Sequence, residues 1–262
     1  MRKIFHNKLY EEHFRKYGYV VTSFLSSGEV EQLKAIYEQY GDKRSRGFYL
    51  TLWDNQNVEL RRQIHQLLQP VLFPKIQTML VDCKTLINCF AVKNSAPASS
   101  WPVHQDDTFT DESQFVSLSV WIPLTDVDEH NGAMKVLEGS HLEYKVPRSP
   151  TIPKPFAGQE AYLLGKMRTI GMKAGQALFF SHALLHASGD NLSGQPRIAA
   201  VSVLLPQEAP VWFYYMKDDR VEIIELDDAY YQRFQLGKRP EGKVVATLSS
   251  EQLAGIAPSL KQ

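Results

Sequence analysis

Apolar positions in the first third of the chain repeat with the spacing of amphipathic helices. Ser26 and Glu29 have the spacing of a capping box, which predicts a helix start. A second apolar stripe at helical spacing consists of Ile64, Leu67, Leu68, Leu72 and Ile76. Pro70 and Pro74 interrupt this stripe, and we expect them to break or kink the second helix. The pattern predicts a mostly helical flank over residues 1–84.

From residue 85 onward the apolar residues form short or alternating runs bounded by turn residues. These runs are 86–92, 115–123, 134–137, 176–181, 198–205, 211–216 and 221–226. Short strands without long intervening helices indicate an antiparallel sandwich or barrel. The stretch 144–168 carries prolines and lacks a clear period, so we expect a lid-like insertion within a β core over 85–226. Residues 227–262 are expected to form a C-terminal tail of a single domain spanning 1–262.

Composition and charge narrow the classes of partner. The 29 basic residues balance 29 acidic residues, which removes an electrostatic reason to bind nucleic acid or an anionic membrane. The 29 aromatic residues favour a sheet-rich core that lines a cavity. No apolar run reaches the length of a membrane span, and the start of the chain mixes both charge signs, so we expect a cytoplasmic protein. Cys83 and Cys89 lie too far apart along one strand to form a disulfide with each other.

The sequence His104-Gln-Asp106 is the first element with metal-binding chemistry. In an extended segment, residues i and i+2 point to the same side, so the imidazole and the carboxylate converge. A lone His-x-Asp pair is weak evidence, because surface or hydrogen-bonding roles are common for such residues. A distant third ligand would complete a facial arrangement of two histidines and one carboxylate, which suits non-haem Fe(II).

The segment around His186 offers that third ligand. Arg197 begins the next apolar strand and has the fork geometry to pair with a carboxylate of a bound 2-oxoacid. Ser188 lies two residues after His186 and offers an additional hydroxyl. His182 is the rival ligand, but only His186 has the serine at +2 and the arginine at +11. The His182-x-x-x-His186 spacing is not a zincin motif, because the residue after His182 is alanine rather than glutamate.

Three segments resemble the phytanoyl-CoA dioxygenase-like (PhyH) family of Fe(II)/2-oxoglutarate-dependent oxygenases. They are 103–106 (VHQD), 119–141 (SVWIPLTDVDEHNGAMKVLEGSH) and 185–197 (LHASGDNLSGQPR). The resemblance implies a mainly β fold, a double-stranded β-helix (jelly-roll, cupin-like) core with N-terminal helices packed outside. It also implies that His104, Asp106 and His186 are metal ligands and catalytic residues. Arg197 and Ser188 match the anchors of 2-oxoglutarate, and Lys93 is a weaker match for a further contact to it.

The resemblance further implies that Fe(II), 2-oxoglutarate and O2 are used, with succinate and CO2 as co-products. Retention of Asp106 favours hydroxylation, because related halogenases replace this carboxylate with a small residue. Desaturation or cyclisation by the same fold stays open. So does a different class, a cupin-like binding or regulatory protein without turnover.

Local charges give the remaining indication about the substrate. Five basic residues against Glu160 give 144–168 a net charge of +4, and it could face the acidic segment 107–112. Such a pair would suit a small polar metabolite or a carrier-bound amino acid, although both segments could equally be solvated loops. The basic run 43–46, followed by Phe48, Tyr49 and Trp53, is another candidate rim. Oligomeric state cannot be read from the sequence.

Overall fold

The computed structural model describes residues 2–41, 47–54, 57–95, 98–144, 146–154, 156, 158–249 and 252. The basic run 43–46, Lys145 and the side chain of Trp53 lie outside this description. Among the described helices, none combines the length and hydrophobicity needed to cross a bilayer.

Helices and strands follow the predicted order, with helices first and strands concentrated after residue 83. The helices are α1 (Lys8–Tyr17), α2 (Ser27–Tyr40), α3 (Thr51–Asp54), α4 (Val58–Met79), α5 (Ser140–Glu143), α6 (Glu160–Leu164) and α7 (Tyr230–Arg233). The first strands are β1 (Tyr19–Ser23), β2 (Phe48–Leu50), β3 (Cys83–Lys93), β4 (Trp101–His104), β5 (Leu118–Pro123), β6 (Met134–Val136) and β7 (Arg168–Ile170). The later strands are β8 (Gln176–Ser181), β9 (His186–Ser188), β10 (Arg197–Pro206), β11 (Val211–Lys217), β12 (Arg220–Leu226) and β13 (Lys243–Ser249).

The strands form antiparallel sheets, two of which build the core. A six-stranded sheet has the order β1-β8-β5-β10-β3-β2, and a four-stranded sheet has the order β4-β9-β6-β7. The third sheet is β11-β12-β13. This arrangement confirms the predicted mainly β, jelly-roll class with flanking N-terminal helices.

The six-stranded sheet is buried on both faces, because its side chains alternate between two apolar clusters. One face carries Leu178, Val201 and Val203 in the cluster shared with the four-stranded sheet. The opposite face carries Phe90 and Phe179 in a cluster with residues of α1, α2 and α4. Burial on both faces explains why these strands are nearly continuous apolar runs.

Helix α4 excludes a break, one of the two outcomes predicted for its prolines. It runs without interruption from Val58 to Met79, with Pro70 and Pro74 inside. Both prolines lie on the exposed face, so the carbonyls that lose an amide partner are on the water side. The opposite face buries Ile64, Leu68, Leu72 and Ile76 completely or almost completely. Burial of those side chains, at about 1.5 to 3 kcal/mol each, outweighs the two missing hydrogen bonds.

The segment after residue 226 contains more structure than the expected tail. Helix α7 packs on α4 and β3, and β13 pairs antiparallel with β12 along Arg220 to Glu225. Tyr231 of α7 is almost fully buried against Phe109, with ring centroids 4.9 Å apart. These residues therefore pack against the core and close one side of it. Cys83 and Cys89 are both buried and unbridged.

Candidate metal centre

His104, Asp106 and His186 converge between the two core sheets. One ligand atom from each lies within 4.8 Å of the other two. Asp106 Oδ1 is 3.7 Å from His104 Nε2 and 3.6 Å from His186 Nε2. The backbone explains the convergence, because His104 ends β4, His186 begins β9, and the two residues pair across these strands. These three side chains could hold one ion while leaving its other coordination positions open.

Backbone carbonyls orient both imidazoles toward the ion position. His104 Nδ1 lies 2.8 Å from the Pro102 carbonyl, and His186 Nδ1 lies 3.0 Å from the Leu184 carbonyl. A carbonyl only accepts, so each Nδ1 carries the proton and each Nε2 keeps its lone pair, which in His104 accepts a hydrogen bond from Trp101 Nε1 at 3.1 Å. Burial, reinforced by His186, lowers the pKa of His104 to about 3, which keeps this imidazole neutral. Neutral imidazoles with inward lone pairs fit a metal ion.

The carboxylate of Asp106 is held by a chain of hydrogen bonds that the sequence did not reveal. Ser119 on β5 donates to Asp106 Oδ2 at 3.2 Å, and its hydroxyl lies 2.9 Å from His182 Nε2. His182 Nδ1 in turn contacts the Ser117 hydroxyl at 2.8 Å. His182, the rival ligand, therefore lies behind Asp106 rather than beside His186. The chain leaves Asp106 Oδ1 for the ion.

Replacing Ser119 with alanine should weaken metal binding by about 10- to 100-fold, the usual cost of losing an outer hydrogen bond to a ligand. The variant frees Asp106 to rotate and leaves His182 without its Nε2 partner. Competition with a coloured chelator measures the affinity. Ser27→Ala, at an exposed position of α2, is the control and should bind as the unchanged protein does. Equal affinities for all three proteins would contradict the positioning role.

Burial also makes His182 a source of acid sensitivity. It lowers the pKa of His182 to about 3, whereas the imidazole of an unfolded chain titrates near 6.5. Between those values the unfolded chain binds a proton that the folded chain does not, so stability falls as the pH falls. From about pH 7.5 to about pH 5.5 this one group should remove about 1.4 kcal/mol from the free energy of unfolding.

Urea unfolding of the chelator-treated protein at the two pH values measures this loss. His182→Gln is the matched comparison, since glutamine keeps hydrogen-bonding capacity but does not titrate. Other buried histidines affect both proteins alike, so the difference between the two pH dependences isolates His182. An identical pH dependence in both proteins would show that His182 does not contribute.

Arg197 lies at the start of β10 as a buried cation that faces the cavity. Its guanidinium donates through Nη1 to the Gly132 carbonyl and lies 5.1 Å from the Trp121 ring. Its Nε has no hydrogen-bond partner, and no described carboxylate forms an ion pair with it. Burial lowers its pKa to about 9, so it stays charged at neutral pH. An unpaired buried guanidinium fits the carboxylate of an incoming oxoacid.

Glycine is required at position 132, whose carbonyl accepts the hydrogen bond from Arg197. Its φ of +77° is unfavourable for other residues, and an added Cβ would lie 2.7 Å from the Gly189 carbonyl oxygen and 2.8 Å from Lys93 Cδ. The Asn131-Gly132 turn of the sequence motif therefore serves to aim a carbonyl at the guanidinium.

Lys93 lies behind Ser188 and does not line the cavity, whereas Ser188 does. Lys93 Nζ donates to the Ser188 hydroxyl at 2.8 Å and to the carbonyls of Ser99 at 2.8 Å and Gly189 at 2.6 Å. These three bonds use all donors of an ammonium group. Burial, with Arg197 nearby, lowers the pKa of Lys93 to about 7. Lys93 thus supports Ser188, whose own hydroxyl hydrogen remains available, and a direct contact of Lys93 with 2-oxoglutarate stays a prediction.

A cavity of about 610 Å³ extends from the triad between the sheets. This volume is typical of sites for small molecules and cofactors. Phe48 and Tyr49, expected as apolar walls, are among its lining residues. Other apolar walls are Leu50, Leu52, Trp101, Val103, Phe109, Trp121, Met134, Ile152, Phe156, Phe180, Val201, Val203 and Leu236. The body of a bound substrate therefore meets chiefly apolar and aromatic surface, while Asp107, Arg148 and Lys154 from the two predicted charged segments also line the cavity.

The basic stretch 144–168 and the acidic segment 107–112 meet through one ion pair. Arg148 forms two hydrogen bonds to Glu112, at 2.9 and 2.5 Å, and both side chains are largely buried. Arg148 Nε also donates to the Asp106 carbonyl at 2.7 Å. This ion pair joins the insertion to the loop that carries Asp106, and its two charges neutralise each other.

Asp107 is a cavity residue that the motif did not single out. It follows Asp106 directly and lines the same cavity. Burial, followed by repulsion from Asp106, raises the pKa of Asp107 to about 7. In the sequence it is one of three acidic residues in 107–112, and nothing there distinguished it from Asp111 and Glu112 as a cavity residue.

Comparisons with known proteins agree with this geometry. Residues 14–199 match the family described as Phytanoyl-CoA dioxygenase (PhyH), which is more than half of the chain. No curated protein matches the chain significantly.

Solved structures with a similar fold include the following three. The non-heme alpha ketoglutarate dependent carbocyclase SnoK from nogalamycin biosynthesis has a TM-score of 0.57 at 20% identity, covering 93% of this chain and 96% of SnoK. HygX from Streptomyces hygroscopicus, with nickel and 2-oxoglutarate bound, has a TM-score of 0.56 at 14% identity, covering 77% of this chain and 88% of HygX. The epimerase SnoN, in complex with Fe3+, alpha ketoglutarate and nogalamycin RO, has a TM-score of 0.53 at 19% identity, covering 76% of this chain and 83% of SnoN. At these identities the likeness concerns the fold.

Proposed function

Because the chain belongs to the phytanoyl-CoA dioxygenase family, it is an iron- and 2-oxoglutarate-dependent type of enzyme, and we propose that it hydroxylates a small molecule. The observation that carries the proposal is the combination of a His-Asp-His cluster with a buried, unpaired Arg197 on the same cavity. A cluster alone would suit many metal-binding proteins. A cation placed to receive a carboxylate beside that cluster suits a chelating oxoacid.

We assign the roles as follows. His104 and His186 bind the ion through Nε2, and Asp106 binds it through Oδ1. Arg197 pairs with the distal carboxylate of 2-oxoglutarate, and Ser188 donates a hydrogen bond to the same group. When bound, iron and 2-oxoglutarate supply the activation of dioxygen, with release of succinate and CO2 and oxidation of a substrate C–H bond.

The protein residues contribute orientation and exclusion of water. The carbonyls of Pro102 and Leu184 fix the imidazole rings, and Ser119 fixes the carboxylate. Aromatic walls, including Trp121 and Phe180, shield the oxidising centre from solvent. The apolar lining suits a substrate with a largely apolar body, either free or presented on a carrier protein.

Anaerobic addition of Fe(II) and 2-oxoglutarate tests the cofactor assignment, because the chelate should produce a weak visible charge-transfer band. A succinate-release screen with free and carrier-bound compounds then tests turnover, and the product mass identifies the reaction. Gain of one oxygen atom supports hydroxylation, whereas loss of two hydrogen atoms indicates desaturation or cyclisation. Absence of the band, with no succinate from any compound, would favour a non-catalytic binding protein.

A further inference from the structure

Asp107 is a carboxylate in the cavity wall that the assigned roles leave unused. Neither of its oxygens accepts a hydrogen bond from the part of the chain that the structure describes. Oδ2 is sealed from solvent and has no partner, so Oδ1 is the oxygen that a molecule in the cavity can reach. A half-buried carboxylate without donors is costly, and native proteins usually satisfy such groups.

Nearby protein donors are already used by other acceptors. Arg148 donates to Glu112 and to the carbonyls of Asp106 and Val146. The hydroxyl of Tyr231 donates to the Trp212 carbonyl at 2.9 Å. No described side chain donates to Asp107, so a molecule in the cavity that Asp107 lines can supply the donor.

The cavity around Asp107 restricts what that molecule can be. Apart from the triad, Asp107 is the only acidic side chain among its described lining residues, and the walls are chiefly apolar. We propose that Asp107 recognises the prime substrate by accepting a hydrogen bond from an amine or hydroxyl group carried on an otherwise apolar body. This inference rests on the proposed function. Asp106 and Asp107 line the same cavity, so the recognised group and the metal centre share one cavity.

Three probes that share one apolar body test this recognition. They are 2-naphthylmethylamine, 2-naphthalenemethanol and 2-(methoxymethyl)naphthalene, and the ether lacks a donor. Isothermal titration calorimetry measures their binding to the protein loaded with Fe(II) and 2-oxoglutarate without oxygen. We expect the amine and the alcohol to bind at least about tenfold more tightly than the ether, since a hydrogen bond to a charged group contributes at least that much.

Two variants and a control separate the possible outcomes. Asp107→Ala should lower the affinity of the amine and the alcohol to that of the ether. Asp107→Asn keeps an acceptor oxygen but not the charge. If only the amine loses affinity for this variant, the natural group is an ammonium. If the alcohol still binds more tightly than the ether, the natural group is a hydroxyl. Asp219→Asn, on the exposed turn between β11 and β12, should change nothing.

The charge-transfer band keeps this inference distinct from the proposed function. A missing band in the unchanged protein contradicts the cofactor assignment, whereas a band that persists in both Asp107 variants shows that they fold and bind cofactors. When the band is present, any of three results would overturn the recognition role. They are equal binding of the three probes, no binding of the donor probes, and a preference for the donor probes that survives Asp107→Ala.

Discussion

His186→Ala should reduce metal affinity and succinate release by more than about 100-fold, beyond the usual cost of disturbing a residue that only supports a ligand. The substitution removes one of the three donor atoms that converge within 4.8 Å and leaves Asp106 without one of its two imidazole neighbours. Metal content after dialysis against Fe(II), together with the visible band, measures the effect.

His182→Ala is the matched comparison, because His182 is also buried and lies four residues earlier. Its contact with Asp106 passes through Ser119, so its loss should weaken metal binding within the 10- to 100-fold range that we expect for Ser119→Ala. If His182→Ala abolished binding and His186→Ala retained it, our assignment of the third ligand would be wrong.

Arg197→Met should weaken 2-oxoglutarate binding by about 30-fold or more while leaving metal affinity within about twofold. Truncating one partner of a buried charge pair costs at least about 2 kcal/mol, and methionine keeps the apolar contact with Trp121. Anaerobic titration of the visible band with 2-oxoglutarate gives the affinity, and chelator competition gives the metal affinity.

Arg168→Met is the control for the general loss of a positive charge. Arg168 is exposed and pairs with Glu138 outside the cavity, so its loss should leave 2-oxoglutarate affinity unchanged. Equal weakening by both variants would point to a long-range charge effect. No weakening by Arg197→Met would exclude Arg197 as the anchor.

Features that depend on neighbours in sequence were predictable. The capping box at Ser26 and Glu29 is present at the start of α2, and the apolar runs after residue 85 became strands. The His104-x-Asp106 convergence followed from the period of an extended chain, and the family motif pointed to His186, Arg197 and Ser188. Local geometry and recurring motifs carried these predictions.

Features that depend on packing between distant segments were not predictable. The exposed prolines of α4 persist because the buried face holds the helix, which a local rule about proline does not include. The contacts of Lys93 with Ser188 and of Arg148 with Glu112 join residues 95 and 36 positions apart. The charge counts of the two segments suggested that their charges face a substrate. Only the fold shows that Arg148 and Glu112 face each other.

The division of the site between two sheets has a consequence for its dynamics. Arg197 belongs to the six-stranded sheet, whereas His104 and His186 belong to the four-stranded sheet. An oxoacid bound to both would link the layers, and a ligand at 100 times its Kd stabilises the folded state by about 2.7 kcal/mol. Amide hydrogen exchange should therefore slow in β10 and β9 together when metal and 2-oxoglutarate are both present. Metal alone should protect mainly β4 and β9, so we expect the cosubstrate to couple the opening of the two sheets.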